Sequence, residues 1–355
     1  MKVLYIGYYR EHSDWSESAI NNMLALEKAG CDVVARCIEF SKGETPNEIK
    51  HLENKDLEGV EYCIQHVFPH HMIGTNKFKK NVGYFCNEHV DIQHSTWVEK
   101  LELMDEVWTP TGSVGVKMPH AVSHEKFSNN YSGMSVPALD ATFKFYNIVN
   151  TNSLPSVIKA FHSEFSTFEP VNLILQVDSF QQDQELHNTL ESKITDIKTG
   201  LGLQPDPRMY KRDFISTSWA SPLSKFQLHD YADCYISNNN PSITSHDIEA
   251  VAFGNTPLVA SLNPIVDIFD SVQKINSIYV SKSRSESSLF RDMNNSLDFS
   301  ISVCERDLRQ KMRDTYEKWK QDPMTSIENR KNGINAVAEL SLEKTGEKMK
   351  EALSV

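Results

Sequence analysis

The chain has 355 residues, 39% of them hydrophobic and 24% charged, which is enough apolar material for two hydrophobic cores. Its formal net charge of −12 argues against a protein that binds nucleic acid by neutralising phosphates, although that total is compatible with a local basic patch. No apolar run approaches the roughly 20 residues that span a bilayer, and the N-terminus lacks a signal-peptide pattern. These features predict a cytoplasmic protein without a membrane span.

The six cysteines are scattered along the chain, and none of them forms a Cys-x-x-Cys pair. They stand at positions 31, 37, 63, 86, 234 and 304. This spacing is typical of reduced thiols, and it does not match a structural zinc site or a disulfide framework. We therefore expect neither a disulfide nor a bound metal.

Short apolar runs alternate with amphipathic stretches along the first part of the chain. In chain order, the predicted elements are a strand at residues 2–7, a helix at 16–29, strands at 32–38, 62–66 and 81–85, a helix at 95–104 and a strand at 106–109. This alternation predicts βαβ units and a parallel sheet. Residues 128–141 are rich in turn-forming residues and lack periodicity, so we interpret them as an interdomain linker.

A second alternating series follows the linker. It comprises strands at 142–149, 172–177, 214–217, 233–237 and 257–260, and helices at 155–165, 183–199, 222–231 and 247–253. Longer helical patterns at 287–320 and 325–353 close the chain. We therefore predict an N-terminal domain at 1–135, a C-terminal domain at 141–322, and a last helix at 323–355 that packs back on the N-terminal domain.

A candidate anion site lies where the predicted strand 233–237 leads through a polar loop into a helix. Ser242, Thr244 and Ser245 supply small hydrogen-bond donors in this loop. Backbone N–H groups at the start of a helix, together with its dipole, can hold an anionic diphosphate. Glu249 falls in the first helical turn, where its two oxygens can accept hydrogen bonds from vicinal hydroxyls such as those of a ribose. Alternatively, Glu249 only complements the helix dipole.

The segment Glu249-Ala-Val-Ala-Phe-Gly254-Asn-Thr-Pro257 resembles a motif of the retaining GT-B glycosyltransferases of the family-4 type. Their C-terminal domain carries a Glu-x7-Glu element followed by Ala-x-Ala-x-Gly-x-Pro. Glu249, Ala250, Ala252 and Gly254 match the second half of this pattern, and Pro257 comes one residue late. The resemblance implies a GT-B fold, with two Rossmann-like doubly wound domains facing a central cleft. It also implies that Glu249 binds the ribose of a UDP-, GDP- or ADP-sugar and that no divalent metal is needed.

Two departures from the family pattern concern the donor site. Pro241 occupies the position of the first glutamate, which the family uses at the transferred sugar. The basic pair that the family places after the first strand of this domain is also missing, and the corresponding loop contains Asn150, which we include among the donor-binding candidates. Lys211, Arg212 and Lys225 are other sources of positive charge for the phosphates, or else solvated surface cations.

The resemblance extends into the N-terminal half of the chain. The matching runs there are Val82-Gly-Tyr-Phe-Cys-Asn-Glu88, Met104-Asp-Glu-Val-Trp-Thr-Pro110 and Met118-Pro-His-Ala-Val-Ser. Gly7 and Tyr8 follow the first strand, where such enzymes keep a loop that borders the cleft. A glycine there lets the backbone approach a ligand closely, and a simple tight turn is the alternative.

Histidines cluster at the end of the predicted strand 62–66. His66, His70 and His71 lie at the rim where ligands bind to an open α/β sheet. His66 is a candidate catalytic residue, because the pKa of histidine suits proton transfer, and His70 and His71 are assigned to the acceptor side. Glu88 closes the next strand and is the second catalytic candidate. Zinc binding by the histidines is an alternative, but no suitable carboxylate or thiol spacing accompanies them.

Together these features predict a glycosyltransferase that moves a sugar from a nucleoside-diphosphate donor to a hydroxyl acceptor. By the resemblance, it retains the anomeric configuration, and the leaving diphosphate deprotonates the acceptor while the protein positions the substrates. The alternatives are epimerisation or phosphorolysis on the same fold, nucleotide-sugar binding without turnover, and transfer to hydroxymethylated bases in DNA. The last of these depends on Lys77-Phe-Lys79-Lys80, a basic cluster with an interleaved aromatic residue.

Overall fold

The computed structural model divides into two compact units. It describes residues 1–11, 13–39, 43–86, 97–112, 114–131, 133–149, 153–221, 223–238, 244–281, 299–322 and 325–355. Unit 1 comprises Met1–Lys126, the described ends of Ser281–Phe299, and Val337–Val355. Unit 2 comprises Phe127–Val280 and Ser300–Ala336. The first boundary therefore falls just before the segment interpreted as a linker.

Unit 1 contains a six-stranded parallel sheet. Its strands are β1 (Lys2–Gly7), β2 (Asp32–Cys37), β3 (Tyr62–His66), β4 (Lys80–Tyr84), β5 (Glu106–Thr109) and β6 (Val116–Lys117), and its first helices are α1 (Asp14–Lys28), α2 (Lys50–Glu53) and α3 (Trp97–Leu101). The strand order is β2-β1-β3-β4-β5-β6, and all five neighbouring pairs are parallel. Strands β1 and β3 are buried along most of their length, and residues 3–6 of β1 form a continuous apolar run for this reason.

Unit 2 is built on a four-stranded parallel sheet with the order β10-β7-β8-β9. Its strands are β7 (Phe143–Val149), β8 (Val171–Val177), β9 (Phe214–Ser216), β10 (Cys234–Tyr235), β11 (Leu258–Ala260), β12 (Gln273–Ile275), β13 (Ser277–Ser281) and β14 (Phe299–Val303). Its helices are α4 (Leu154–Glu164), α5 (Gln184–Leu201), α6 (Ser224–Tyr231), α7 (Ser245–Ala252), α8 (Glu305–Gln321) and α9 (Thr325–Ala338). Strands β11 and β12 form a parallel pair, and β13 pairs with β14.

The last helix, α10 (Leu342–Ser354), belongs to unit 1 and packs against α1. The two helices approach so closely that a Cβ atom at Gly346 would lie 2.0 Å from the carbonyl oxygen of Ala25. Gly254, just after α7, has a φ of 75°, and a Cβ atom there would lie 2.3 Å from the backbone nitrogen of Arg330 on α9. The glycine of the motif that begins at Glu249 thus has a packing role as well as a conformational one.

The structure follows the predicted elements closely as far as β11 and departs from them afterwards. Strands β1, β3 and β5 have the predicted bounds. The prediction of an interrupted helix at 287–320 is wrong at β14 (Phe299–Val303) and is confirmed from Glu305 onward, where α8 begins. The sequence Phe299-Ser-Ile-Ser-Val303 has the two-residue period of a strand. Residues 282–298 lie outside the described residues.

The single helix predicted at 325–353 is two helices, α9 and α10. Ser341 separates them, because its side chain caps the start of α10 by accepting from the backbone nitrogen of Lys344. Three short strands, β6, β12 and β13, were not predicted. In the described parts of the chain, no helix is long and apolar enough to cross a membrane.

Candidate functional site

Helix α7 begins just after β10 and carries several of the predicted donor residues. Thr244 is its N-cap and forms a capping box with Asp247. The Thr244 hydroxyl donates to Oδ2 of Asp247 at 2.8 Å, and the Ser237 hydroxyl donates to Oδ1 of the same carboxylate. Burial raises the pKa of Asp247. Thr244 therefore shapes the start of the helix, and Ser245 is the first helical residue after it.

Glu249 lies further along α7 at the centre of a buried ionic cluster, and only 3% of the residue is exposed. Its Oε1 lies 2.6 Å from Nζ of Lys225 on α6. Its Oε2 lies 3.3 Å from Nε2 of His229 and 3.3 Å from Nδ1 of His246. Burial acts to raise the pKa of Glu249, but Lys225 and the two histidines reverse that effect and hold it well below its usual range. Glu249 is therefore an ionised carboxylate.

His246 connects Glu249 to a second carboxylate, that of Asp178 at the end of β8. Nε2 of His246 lies 3.1 Å from Oδ2 of Asp178, while Nδ1 faces Glu249. Burial acts to lower the pKa of His246, yet the two carboxylates raise it above its usual range. The hydrogen bond from His246 in turn lowers the pKa of Asp178 to about 2. His246 thus carries a positive charge between two carboxylates at neutral pH.

His229 differs from His246 in its partners. Its Nδ1 lies 2.5 Å from the hydroxyl of Tyr146, and Asn255 donates to that hydroxyl at 2.8 Å. Its Nε2 is buried and forms no hydrogen bond with any described residue. Burial lowers the pKa of His229. One potential ligand atom from each of His229, His246 and Glu249 lies within 4.8 Å of the other two, so these three residues can hold a metal ion.

An open polar groove adjoins the cluster at Asp178. Trp219 donates from Nε1 to Oδ1 of Asp178 at 2.6 Å and also lines the groove. The other lining residues follow β8, begin α5 or follow β9; they are Phe180, Gln182, Asp183, Gln184, His187, Ser216, Thr217, Ser218 and Ala220. Phe180 is 63% exposed and offers an apolar ring face. This end of the sheet in unit 2 therefore combines aromatic faces with hydrogen-bonding groups, as small-molecule sites do.

The remaining donor candidates are not part of the cluster around Glu249 in the described residues. Nζ of Lys211 donates to the carbonyl oxygens of Thr167 and Glu169 at 3.2 and 2.7 Å, and burial lowers the pKa of this lysine. Lys211 thus ties its own loop to the turn that precedes β8. Ser242 and Asn150 lie outside the described residues.

Unit 1 has its own histidine cluster, at the carboxyl end of its parallel sheet. Nδ1 of His66, the last residue of β3, lies 2.8 Å from the hydroxyl of Tyr5 on β1. The His66 ring packs against Tyr84 and His120, with ring centroids 4.7 and 5.1 Å away. Asn22 on α1 joins the two sides, because its Nδ2 lies 3.2 Å from the Tyr5 hydroxyl and 3.3 Å from Nδ1 of His120.

Both histidines of this cluster are neutral. Burial, reinforced by the neighbouring His120, lowers the pKa of His66 well below its usual range, and burial lowers the pKa of His120 to about 3. Nε2 of His66 is buried and has no hydrogen-bond partner among the described residues. Nε2 of His120 lies 3.0 Å from Sγ of Cys86, which follows β4. Glu88, two residues further on, lies outside the described residues.

The other candidates of unit 1 surround the segment after β3. The Tyr8 hydroxyl lies 2.6 Å from Nδ1 of His71 and accepts from the backbone nitrogen of Phe68 at 3.0 Å. His70 stacks on Phe68, and burial lowers its pKa to about 4. A Cβ atom at Gly7 would make only ordinary contacts at 3.4–3.5 Å, so the protein packing at this position does not itself require glycine.

The basic cluster at the start of β4 is largely neutralised. Lys79 forms an ion pair with Glu61. Nζ of Lys80 lies 2.5 Å from Oε2 of Glu106 and donates to the carbonyl oxygen of Ala352 at 2.8 Å. Two of the three lysines that motivate the DNA alternative are thus paired with acidic side chains.

Sequence reasoning missed several residues that belong to these clusters, five of which carry the argument below. These five are Asp178, Trp219, His229 and His246 in unit 2 and His120 in unit 1. Two weak signals were present, since His246 stands three residues before Glu249 and His120 falls within the quoted run that begins at Met118. The others reach the clusters from distant parts of the chain, and periodicity does not reveal such contacts.

No protein-family model matches the chain, and no curated protein matches it. The solved structures that it resembles establish its fold, which is the GT-B fold. A trehalose-6-phosphate structure from E. coli bound with UDP-2-fluoro glucose is 8% identical, with a TM-score of 0.62 over 99% of both chains. A glycosyltransferase from Rickettsia africae is 9% identical, with a TM-score of 0.59 over 99% of this chain and 97% of the other.

The name of a third similar structure indicates a different kind of reaction. It is a UDP-N-acetylglucosamine 2-epimerase of Listeria monocytogenes, so named only provisionally, and it is 11% identical, with a TM-score of 0.51 over 99% of this chain and 95% of the other. At such identities the likeness establishes the fold, and a fold alone does not choose between transfer and epimerisation.

Proposed function

We propose that this protein is a glycosyltransferase that moves a sugar from a nucleoside-diphosphate donor to a hydroxyl acceptor. The proposal rests above all on the buried, ionised Glu249 beside Lys225, near the carboxyl end of a parallel sheet in a GT-B fold. Ligands of open parallel sheets bind at this end. A carboxylate suits ribose hydroxyls, and an ammonium group suits a phosphate. We therefore assign the donor to unit 2.

The nucleoside is assigned to the groove beside Asp178. Phe180 supplies an exposed ring face for a base, and the Asp178 carboxylate, with 55% of its side chain exposed, can accept hydrogen bonds from the nucleoside. The UDP-2-fluoro glucose bound in the E. coli structure supports UDP-sugars as the first donors to test. The diphosphate is assigned to the start of α7, beside Thr244 and Ser245. Ser242 and Asn150 stay donor-binding candidates from the sequence alone.

Lys225 is the side chain that has to move when the donor binds. It occupies Oε1 of Glu249 at 2.6 Å, and 19% of the side chain is exposed. Because its stem is long and flexible, the ammonium group can turn from Glu249 to the diphosphate and leave Oε1 to a ribose hydroxyl. Glu249 keeps His229 and His246 at Oε2, so the buried carboxylate stays paired. Lys225 would then replace the basic pair that is missing after β7.

The acceptor is assigned to unit 1, with His66 as the residue that contacts its hydroxyl. His66 is neutral and can exchange a hydrogen bond through Nε2 without a change in charge. In the proposed reaction the bond from the anomeric carbon to the diphosphate breaks, a bond to the acceptor oxygen forms on the same face, and the acceptor proton passes to the diphosphate. The anomeric configuration is retained, and neither a protein nucleophile nor a metal takes part. Tyr8, His70 and His71 line the acceptor side in this proposal.

Incubation of the chain with UDP-, GDP- and ADP-sugars tests the proposal, with the released nucleoside diphosphate and the transferred sugar as readouts. We expect one donor class to be consumed by the wild type and consumption to be lost in Glu249→Gln. The matched control is Glu164→Gln, because Glu164 is an ion-paired glutamate of unit 2 that lies 2.8 Å from Arg313. Equal donor consumption by wild type and Glu249→Gln would contradict the role of Glu249 in donor binding. If the wild type consumed no donor, the proposed transferase activity would be contradicted.

Nucleotide-sugar binding without turnover is the second candidate function, favoured by Pro241 at the position of the family's first glutamate. Thermal stabilisation by a donor, with no release of nucleoside diphosphate, would establish it. An altered sugar that is still attached to its nucleotide would instead identify an epimerase.

A further inference from the structure

We propose that His229, His246 and Glu249 form a binding site for one Zn²⁺ ion. The three side chains come from α6 and α7 and are all buried. Two imidazoles and one carboxylate are a ligand set that zinc accepts, with a fourth position open to water. The proposal does not depend on glycosyl transfer.

The spacing of the three ligand atoms suits a tetrahedral ion. Zinc lies about 2.0–2.2 Å from nitrogen and oxygen ligands, so two ligands of a tetrahedral site are about 3.3 Å apart. Oε2 of Glu249 lies 3.3 Å from Nε2 of His229 and 3.3 Å from Nδ1 of His246. All three atoms lie within 4.8 Å of one another, so a small ring movement completes the site.

The outer nitrogen of each imidazole is already held by a partner. Nε2 of His246 lies 3.1 Å from Asp178, and Nδ1 of His229 lies 2.5 Å from the hydroxyl of Tyr146. Asn255 fixes that hydroxyl in turn. Such outer partners orient the rings of metal-binding histidines and make them better ligands. The cluster therefore has a second layer of contacts that a zinc site needs.

Nε2 of His229 is the independent sign of a ligand. It is buried and has no hydrogen-bond partner among the described residues, even though a carboxylate oxygen of Glu249 lies nearby. In the ionic cluster each ring nitrogen of His246 faces a carboxylate, whereas Nε2 of His229 has only Oε2 of Glu249, at 3.3 Å and without good hydrogen-bond geometry. Buried polar atoms without a partner are uncommon and call for an explanation. An ion bound to this nitrogen supplies one.

Zinc binding changes the charges of the cluster without disrupting it. The ion replaces the proton that His246 carries, because a metal-binding imidazole is neutral. Lys225 stays on Oε1 of Glu249, the oxygen that faces away from the ion in this arrangement.

Calorimetric titration of the tag-free, chelator-treated chain with ZnCl₂ tests the proposal. We expect the wild type to bind one ion per chain, and His229→Gln and His246→Gln each to bind zinc at least about tenfold more weakly. The matched control is His51→Gln, because His51 is an exposed histidine of unit 1 that lies 2.8 Å from Glu27. It should bind zinc as the wild type does. No binding by the wild type, or equal binding by both site variants, would overturn the proposal.

X-ray absorption at the zinc edge identifies the zinc ligands in the wild-type complex. This second test needs no variant, so it is independent of whether the variants fold. We expect a first shell of two imidazole nitrogens with oxygen ligands. A sulfur ligand, or a shell without imidazole, would show that zinc binds elsewhere, for example at one of the free cysteines.

Discussion

Each unit of the protein buries two histidines near the carboxyl end of its parallel sheet, yet the two pairs are in different electrostatic states. His66 and His120 of unit 1 contact a hydroxyl, an amide, a thiol and aromatic rings, and burial keeps both neutral. His246 of unit 2 lies between two carboxylates and is charged, while His229 touches only one of them and has a lowered pKa. Burial alone therefore favours neutral histidine, and two carboxylate neighbours are needed to reverse it.

This difference matches the substrates assigned to the two units. A neutral cluster with an unpartnered ring nitrogen suits an uncharged hydroxyl acceptor. A cluster of alternating charges, with a lysine that can change partners, suits a ribose joined to a diphosphate. In the account proposed above, changes in unit 1 should therefore affect turnover, and changes in unit 2 should affect donor binding.

The largest expected effect comes from His66→Gln. Loss of one well-placed hydrogen bond in a transition state typically lowers kcat about 100-fold or more. We expect that loss with the KM for the donor unchanged, and steady-state kinetics with varied donor measures both. His51→Gln, at an exposed histidine of the same unit, should leave both constants as they are. A raised donor KM with normal kcat would contradict the assignment of the acceptor to unit 1 and the donor to unit 2.

Substitution of Asn22 tests how much its hydrogen bonds stabilise the neutral histidine cluster of unit 1. Asn22 is fully buried, contacts Tyr5 and His120, and accepts from the backbone nitrogen of Ala121 at 2.9 Å. Asn22→Ala leaves several buried groups unpaired, so we expect the free energy of unfolding to fall by about 2–3 kcal/mol. Urea denaturation measures the change. Asn188→Ala, at an exposed position, should cost less than about 0.5 kcal/mol, and an equal cost at both positions would contradict the assignment.

The pH dependence of stability should have opposite signs for His246 and His66. The raised pKa of His246 stabilises the fold fully below the ordinary value of 6.5, and this contribution is lost as pH rises toward the raised value. The lowered pKa of His66 costs stability as pH falls below 6.5, because only the unfolded state takes up the proton there. The lowered pKa of Glu249 stabilises the fold at pH values above the ordinary pKa of 4.5, and this stabilisation is lost as pH falls below that value.

Denaturation of wild type, His246→Gln and His66→Gln between about pH 5 and pH 9 measures these contributions. The advantage of the wild type over His246→Gln should shrink as pH rises. Its advantage over His66→Gln should instead grow between pH 5 and pH 7. Slopes of the same sign for the two variants would show that the clusters do not differ in charge.

The smallest expected effect is that of Lys79→Gln. Lys79 pairs with Glu61 at the surface, where solvent screens the two charges, so the pair contributes little to stability. We expect little change in stability or turnover and no change in affinity for DNA. Salt-sensitive DNA binding by the wild type that is lost in this variant would instead favour transfer to DNA bases.

The GT-B fold inferred from the motif at Glu249 is confirmed by the structural similarities, although no family model matches the chain. Strands such as β1 were predictable because a buried parallel strand is a short, nearly continuous apolar run. Strand β14 was not, because five alternating residues are a weak signal beside the strong helical pattern of α8.

The site was less accessible to sequence reasoning than the fold. Glu249 and Lys225 were both candidates, and the structure brings them to 2.6 Å. Asp178 was missed because it meets His246 across 68 positions of the chain, and no local pattern announces such a contact. The donor and acceptor roles of these residues stay predictions.

Calorimetric titration of the wild type and Glu249→Gln with the donor that the wild type consumes tests the account most directly. One hydrogen bond from a ribose hydroxyl to a charged carboxylate is at stake, worth about 1.5–3 kcal/mol, and 1.4 kcal/mol is a factor of ten in affinity. We predict that Glu249→Gln binds the donor at least about tenfold more weakly, while Glu164→Gln binds it normally. Equal donor affinity in the wild type and in a folded Glu249→Gln chain would contradict the account.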